Sequence, residues 1–299
     1  MRKRKAKINS VVFKTAERVK SMLYLLMAIA MHSTTMFVMK YSENSEGNRY
    51  ATTLFNFLTG MIISFFLMKE KVLFYSTPEG FFAMGLAVIN AICMTSGMVV
   101  YQVTIGRNGA PLTATFGRLG VLIPTVLSII FFHEVPSLVQ IVGLIIAILA
   151  IIYINGGGET NQIESLSLLL AVFVISGLMD FCSKLYGVYG DAAIQDYYVF
   201  YSFLFNTLLS LGILLAKNRT VKKKDVTNGI LLGIPNQLIT YSMVRVVLYL
   251  PAYLAFPLAS AGVILAVNIV NFVVFREKLS PRELRATLLI GIALILLNI

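Results

Sequence analysis

Tryptophan is absent from this 299-residue chain, cysteine and histidine occur only twice each, and charged residues make up 13%. Each shortage excludes something. Cys93 and Cys182 both fall in apolar stretches, so they cannot build a disulfide framework or a thiolate metal site and read as small core residues. His32 and His133 lie far apart, and no H-E-x-x-H or G-x-x-x-x-G-K pattern occurs. A zinc hydrolase and a phosphate-loop enzyme are thereby excluded; the chain reads as a non-enzyme with no cofactor. Ordinary soluble domains carry about 25% charged residues, so a water-soluble fold is excluded as well.

What is present is oil and positive charge. Hydrophobic residues make up 58%, the mean hydropathy is +0.81, and the net charge is +11. Such a charge excess could signal nucleic acid, but here the basic residues cluster at the ends of apolar runs, as membrane proteins place them. No nucleic-acid partner is expected; the partners are membrane lipid and a small-molecule substrate, with the chain as monomer or homodimer. The first apolar stretch has no small-residue cleavage site and many spans follow it, which argues against a removed signal peptide.

A spanning helix needs about 20 predominantly apolar residues. That rule predicts ten helices, over 21–40, 50–68, 80–103, 109–132, 137–155, 165–186, 194–216, 227–249, 252–275 and 281–298. The runs are too long and continuous for barrel strands, which would alternate over about ten residues. Residues 1–20 carry eight Lys/Arg against one Glu and read as a basic cytoplasmic tail. Without tryptophan, any interfacial belt rests on tyrosine, and Tyr50, Tyr75, Tyr101, Tyr153 and Tyr198 fall near predicted span ends.

The sequence also repeats. At a shift of 143 residues, "FFHEVPSLVQ" (131–140) lies on "VFREKLSPRE" (274–283), so Glu134 meets Glu277, Ser137 meets Ser280 and Asn155 meets Asn298. Upstream, with small insertions, "MFVMK" ending at Lys40 resembles "DFCSK" ending at Lys184, and Asn56 in "FNF" resembles Asn206 in "FNT". Two halves follow, 21–155 and 156–299. Five is odd, so the second half must enter the membrane in the opposite sense, giving an inverted repeat of the kind many transporters share.

A Glu, a Ser three residues on and an apolar final helix closing each half resemble the EamA-type fold of the drug/metabolite transporter superfamily, over the whole chain from about residue 20. "YSENSEGNRY" and "GAPLTATFGRLGVLIPTVLSIIFFHEVPS" are similar to a bacterial branch of it. The resemblance implies a permease of the cell membrane in which helices 1–4 and 6–9 surround a central path, with helices 5 and 10 peripheral. It implies no particular substrate. It departs at the C-terminus, where no basic tail follows Ile299, and in the last helices, where a second Gly is partly replaced.

Orientation is weakly encoded. With the N-terminus inside, eleven Lys/Arg fall on the inner side, Lys184 counted among them as a loop residue, and twelve outside. The basic tail decides for an N-terminus in the cytoplasm of a bacterial cell, since the first span usually dominates.

Ionisable groups in the bilayer cost about 2.5–3.5 kcal/mol each on insertion scales and mark functional paths. Arg118, in "FGRLGVLIPTV", is the only charge between Arg107 and Glu134. Thr125 shares its face and Ser128 the edge, while Ser260, Asn268 and Asn271 mark the corresponding helix of the second half. Ala261 takes the place of Arg118 there, so the charge is one-sided. Either Arg118 faces a substrate path or it pairs statically with Asp180; a pair that an anionic substrate opens would combine both. His32, beside Ser33, Thr34 and Thr35, could carry a coupled proton or simply be hydrogen-bonded in the bundle. Asn56, Asn90, Asn206 and Asn236 read equally as path-lining groups or as interhelical glue. Gln102 and Arg245 read as snorkelling near span ends, and Glu134 and Glu277 as structural helix-end groups. Pro124 and Pro257 interrupt their helices, and Gly109, Thr113, Gly117 and Gly120 form a small-residue face.

These residues predict a secondary transporter of a small polar, anionic or zwitterionic metabolite of the amino-acid or organic-acid class, working by alternating access. A drug or organic-cation exporter and a lipid flippase are the alternatives on the same fold.

Overall fold

Backbone groups in lipid must be satisfied within their own segment, and helices do this for every long apolar run. The computed structural model describes residues 19–38, 47–155, 164–217, 219–273, 276 and 281–298, the side chains of residues 102, 110, 111, 154, 155, 271, 283 and 298 excepted. The expected basic tail up to residue 18, Lys40, Glu277 and Ser280 therefore lie outside the described residues, as do the side chains of Gln102, Asn155 and Asn298.

The chain is all-helical over the described residues. The elements are α1 (Val19–Val38), α2 (Arg49–Leu67), α3 (Pro78–Asn108), α4 (Ala110–Leu119), α5 (Leu122–Phe132), α6 (Leu138–Asn155), α7 (Leu166–Tyr189), α8 (Gln195–Lys217) after a short 3-10 turn, α9 (Lys223–Tyr249), α10 (Ala252–Val273) and α11 (Pro281–Asn298). Eight helical segments, with α4 and α5 counted in one, are long and apolar enough to cross a membrane; shorter apolar helices run over Leu138–Tyr153 and Leu284–Leu297. Their outward faces carry Leu26, Ile62, Phe66, Ile92, Phe131, Leu149 and Ile295, all exposed. Apolar surface on that scale belongs against lipid.

Local chemistry sets several boundaries. The Asn48 side chain accepts from the Tyr50 N–H at 3.0 Å and starts α2, and Thr77 caps α3 by accepting from Gly80 at 3.2 Å. Gly109, at φ 79°, ends α3 in a backbone region that other residues reach only with strain. Among the described residues two non-glycine residues also have positive φ, His133 (53°) after α5 and Arg276 (52°) after α10.

Glycine sets how close the helices come. A Cβ on Gly177 of α7 would lie 2.5 Å from the Gly120 carbonyl oxygen, and one on Gly117 would lie 3.3 Å from the Tyr101 ring. The small-residue face of α4 is thus where α7 and α3 dock. On α9, Gly229 and Gly233 press against α2, where added Cβ atoms would meet the Thr52 and Asn56 carbonyls at 2.8 and 2.6 Å. Gly143 seats α6 on α11 in the same way.

With α4 and α5 counted as one segment, successive helices run in alternating directions, so the start of α1, the α5–α6 connection, the end of α7, the start of α8, the end of α9 and the start of α10 share one end of the molecule. Two ion pairs lie there. Lys184 is buried in α7 and donates to Glu134 Oε1 at 2.5 Å. Arg245 of α9 is buried and donates to Asp196 of α8, with its guanidinium 3.4 Å from the centre of the Tyr241 ring and 5.7 Å from that of Tyr24. Both observations correct the sequence reading. Lys184 is not a loop cation, and Arg245 does not snorkel; each found a carboxylate partner distant in sequence, which makes burial affordable only as a pair. Tyr198 is no interfacial residue either, being fully buried and stacked on Tyr186 at 4.4 Å.

Candidate functional site

Arg118 lies where the fourth apolar run stops being one helix. Pro124 has no N–H to give the Gly120 carbonyl, which accepts instead from Ile123 at 2.9 Å. Tighter bonds of the 3-10 kind precede it: Gly120 N–H to Gly117 O at 3.2 Å and Val121 N–H to Arg118 O at 3.4 Å. The break separates α4 from α5, as the position of Pro124 predicts. Pro257 behaves otherwise: it lies inside α10, which stays continuous through it.

The guanidinium of Arg118 reaches toward α1, its Nη2 lying 3.9 Å from Met36 Sδ. It also interacts electrostatically with His32 and with Tyr101 of α3. His32 and Met36 are one turn apart on α1 and so face it together. The neighbouring hydroxyls are satisfied within the helix: Ser33, Thr34 and Thr35 donate to the carbonyls four residues back at 2.8, 2.9 and 3.0 Å. Around Arg118 the structure therefore gathers a cation, an imidazole, a phenol and a thioether from α4, α1 and α3.

No ion pair joins Arg118 to Asp180; the described ion pairs are Lys184–Glu134 and Arg245–Asp196. The static Arg118–Asp180 bridge is not formed. Asp180 sits one turn from Ser176 on the same face of α7, and the Ser176 Oγ would lie 3.8 Å from a Cβ on Gly117. The acid is thus on the α7 face that meets α4.

Other expected path residues turn out to join helices. Asn236 donates to Asn56 Oδ1 at 3.1 Å between α9 and α2. Asn206 accepts from Thr95 at 3.0 Å between α8 and α3, and Asn90 donates to the Met179 carbonyl of α7 at 3.2 Å. Asn268 donates to Thr287 at 2.8 Å, which turns it toward α11. Thr125 and Ser128 are buried, with their hydroxyls on the Val121 and Thr125 carbonyls at 2.8 and 2.9 Å. Ser260 is half-buried on α10, and the side chain of Asn271 lies outside the described residues. Tyr101 and Met36 are the site neighbours that sequence reasoning missed. The spacing of Met36 four residues after His32 is the signal that would have found it.

The architecture is that of a multi-pass helical membrane protein with a charged group at an interrupted helix. Residues 19–156, running from α1 past the end of α6, match the EamA-like transporter family. Over this region, a little under half of the chain, the sequence is similar to that family, which lies within the drug/metabolite transporter superfamily. No curated protein sequence matches it. A solved structure described only as "Crystal structure of protein" superposes with a TM-score of 0.73 at 14% identity, covering 92% of this chain and 95% of that one. At that identity the likeness speaks for the fold alone.

Proposed function

We propose that this protein is a secondary active transporter that moves a small anionic or zwitterionic metabolite by alternating access, with Arg118 as the group that receives the substrate. The observation that carries this reading is a guanidinium that touches a thioether and lies within electrostatic reach of an imidazole and a phenol, with no carboxylate paired to it among the described residues. A guanidinium fork suits carboxylate or phosphate oxygens bidentately. Its position at a helix break fits the discontinuous helices on which transporters build substrate sites. Asp180, free of any ion pair among the described residues, supplies an acidic partner for the ammonium of a zwitterion.

On this reading α6 and α11 also span, giving ten spans in two inverted halves. His133 and Arg276, the two described non-glycine residues with left-handed backbone, stand 143 positions apart, the shift at which the sequence repeats. The packing supports it too. Exchanging the halves turns the α2–α9 contact into the α8–α3 contact, and the α6–α11 and α5–α10 contacts into themselves. The proposed setting is the cytoplasmic membrane of a bacterium with the N-terminus inside. One observation favours a second reading: the unpaired Asp180 would equally attract an organic cation, as an exporter of such compounds requires.

A thermal-shift screen of purified protein against carboxylates, amino acids, phosphorylated metabolites and organic cations tests these readings, with Arg118→Ala run alongside. A ligand at 100 times its Kd stabilises by about 2.7 kcal/mol. An anion or zwitterion that stabilises the parent but not Arg118→Ala supports the first reading. Stabilisation by cations alone supports the second.

A further inference from the structure

We infer that Glu134 is a latch that holds shut the end of the transporter carrying the N-terminus, and that its release from Lys184 and α10 opens that end. The inference rests on the alternating-access reading above. Glu134 follows α5 directly after the left-handed His133, a conformation a non-glycine residue keeps only where its surroundings fix it. That turn lets the carboxylate reach two elements of the second half of the chain. One oxygen accepts from Lys184 Nζ of α7 at 2.5 Å and the other from the Ala252 N–H of α10 at 2.8 Å. The second contact places an anion on the first exposed N–H of a helix, where the helix dipole favours it. Lys184 is 3% exposed and lies 5.9 Å from the centre of the Phe132 ring, so its charge depends on Glu134 rather than on water.

The packing around the latch is one-sided. α10 rests on α5, whereas α4, the other half of the same apolar run, rests on α3, α6 and α7. The equivalent helices of the two halves thus converge at the latched end. At that end α10 is buried all round from Ala252 to Ala259, α9 from Ser242 to Val247 and α8 from Asp196 to Phe203. Toward their other ends all three regain exposed residues, among them Phe272, Leu231 and Leu215. A helix that merely lined the lipid would keep one exposed stripe along its whole length. The loss of that stripe on three helices marks a closed end. Met36, beside Arg118, is 37% exposed and lies toward the opposite end of α1.

The test uses full-length protein in proteoliposomes with Cys93 and Cys182 replaced by alanine and one probe cysteine added. Ala255→Cys, fully buried and one turn into α10 from Ala252, reports on the latched end; Met36→Cys reports on the site from the other. A membrane-impermeant thiol reagent is applied to each side. Glu134→Gln leaves Lys184 without its counterion, and Glu134→Leu with Lys184→Met removes both charges so that no buried ion is left unpaired. The paired variant keeps the test valid if the single one misfolds. The latch predicts that both raise labelling of Ala255→Cys from the N-terminal side by about tenfold or more and slow labelling of Met36→Cys from the other side. Unchanged labelling of Ala255→Cys in both would make Glu134 a static staple and overturn the latch, while leaving Arg118-dependent ligand stabilisation intact. Faster labelling of Ala255→Cys with Met36→Cys unchanged would also overturn it, since the two ends would then open independently.

Discussion

Replacing Asp196 with asparagine should cost this protein a large part of its stability. Arg245 and Asp196 form an ion pair whose side chains are 8% and 11% exposed, and Arg245 donates besides to the Tyr241 carbonyl at 3.0 Å. The guanidinium lies against Tyr241 and near Tyr24, so the residue ties α8, α9 and α1 together. Removing one partner of a buried pair strands the other charge, at a cost of about 3–5 kcal/mol. Arg245→Met removes the cation–π contact as well, worth about 0.5–2 kcal/mol. At roughly 2–4 °C per kcal/mol for a chain near this size, Asp196→Asn should melt roughly 6–20 °C below the parent and Arg245→Met roughly 7–28 °C below it. The double variant Asp196→Leu with Arg245→Met leaves no buried charge and should recover most of that loss. Thermal melts of the four proteins in one detergent make the comparison. Single variants that melt within about 2 °C of the parent, or a double variant no better than the worse single, would refute the argument that the charges need each other.

Other outcomes follow from the same contacts. Gly177→Leu would drive a side chain into the Gly120 carbonyl, 2.5 Å from the nearest position of a Cβ, and should destabilise by about 1–3 kcal/mol or more; an unshifted melt would show that α7 moves aside freely. Thr95→Val and Asn206→Leu should couple by about 0.6 kcal/mol, and by no more than about 1.7 kcal/mol, in a double-mutant cycle, since they share one interhelical hydrogen bond.

Much of the fold is legible in hydropathy because lipid leaves a chain few choices. Runs of about 20 apolar residues must become helices, and the expected and observed helices differ mainly at their ends. α3 runs on to Asn108, five residues past its expected end, because Gly109 rather than a change in hydropathy stops it. The Gly-x-x-x-Gly of Gly229 and Gly233 was also readable, as a motif for close helix contact. What hydropathy does not carry is partnership. Arg245 near the end of an apolar run could snorkel or pair, and only the approach of Asp196, 49 residues earlier, decides for pairing. Lys184 finds Glu134 across the two halves for the same reason. The mid-helix asparagines divided likewise: a polar group in an apolar run must find a partner or line a wet path, and Asn56, Asn206, Asn236 and Asn268 found neighbours on adjacent helices. Arg118, like Asp180, is an inward charge that the described ion pairs leave over.

The measurement that tests the central claim most directly is counterflow. Proteoliposomes preloaded with the anion or zwitterion that stabilises the protein receive a trace of the same labelled compound outside, for the parent, Arg118→Lys and Arg118→Ala. The account predicts transient accumulation by the parent, loss of about tenfold or more in Arg118→Ala, and an intermediate rate in Arg118→Lys, which keeps the charge but not the bidentate fork. Accumulation by Arg118→Ala at the parent's rate would contradict it, and so would a ligand that binds through Arg118 yet is never exchanged.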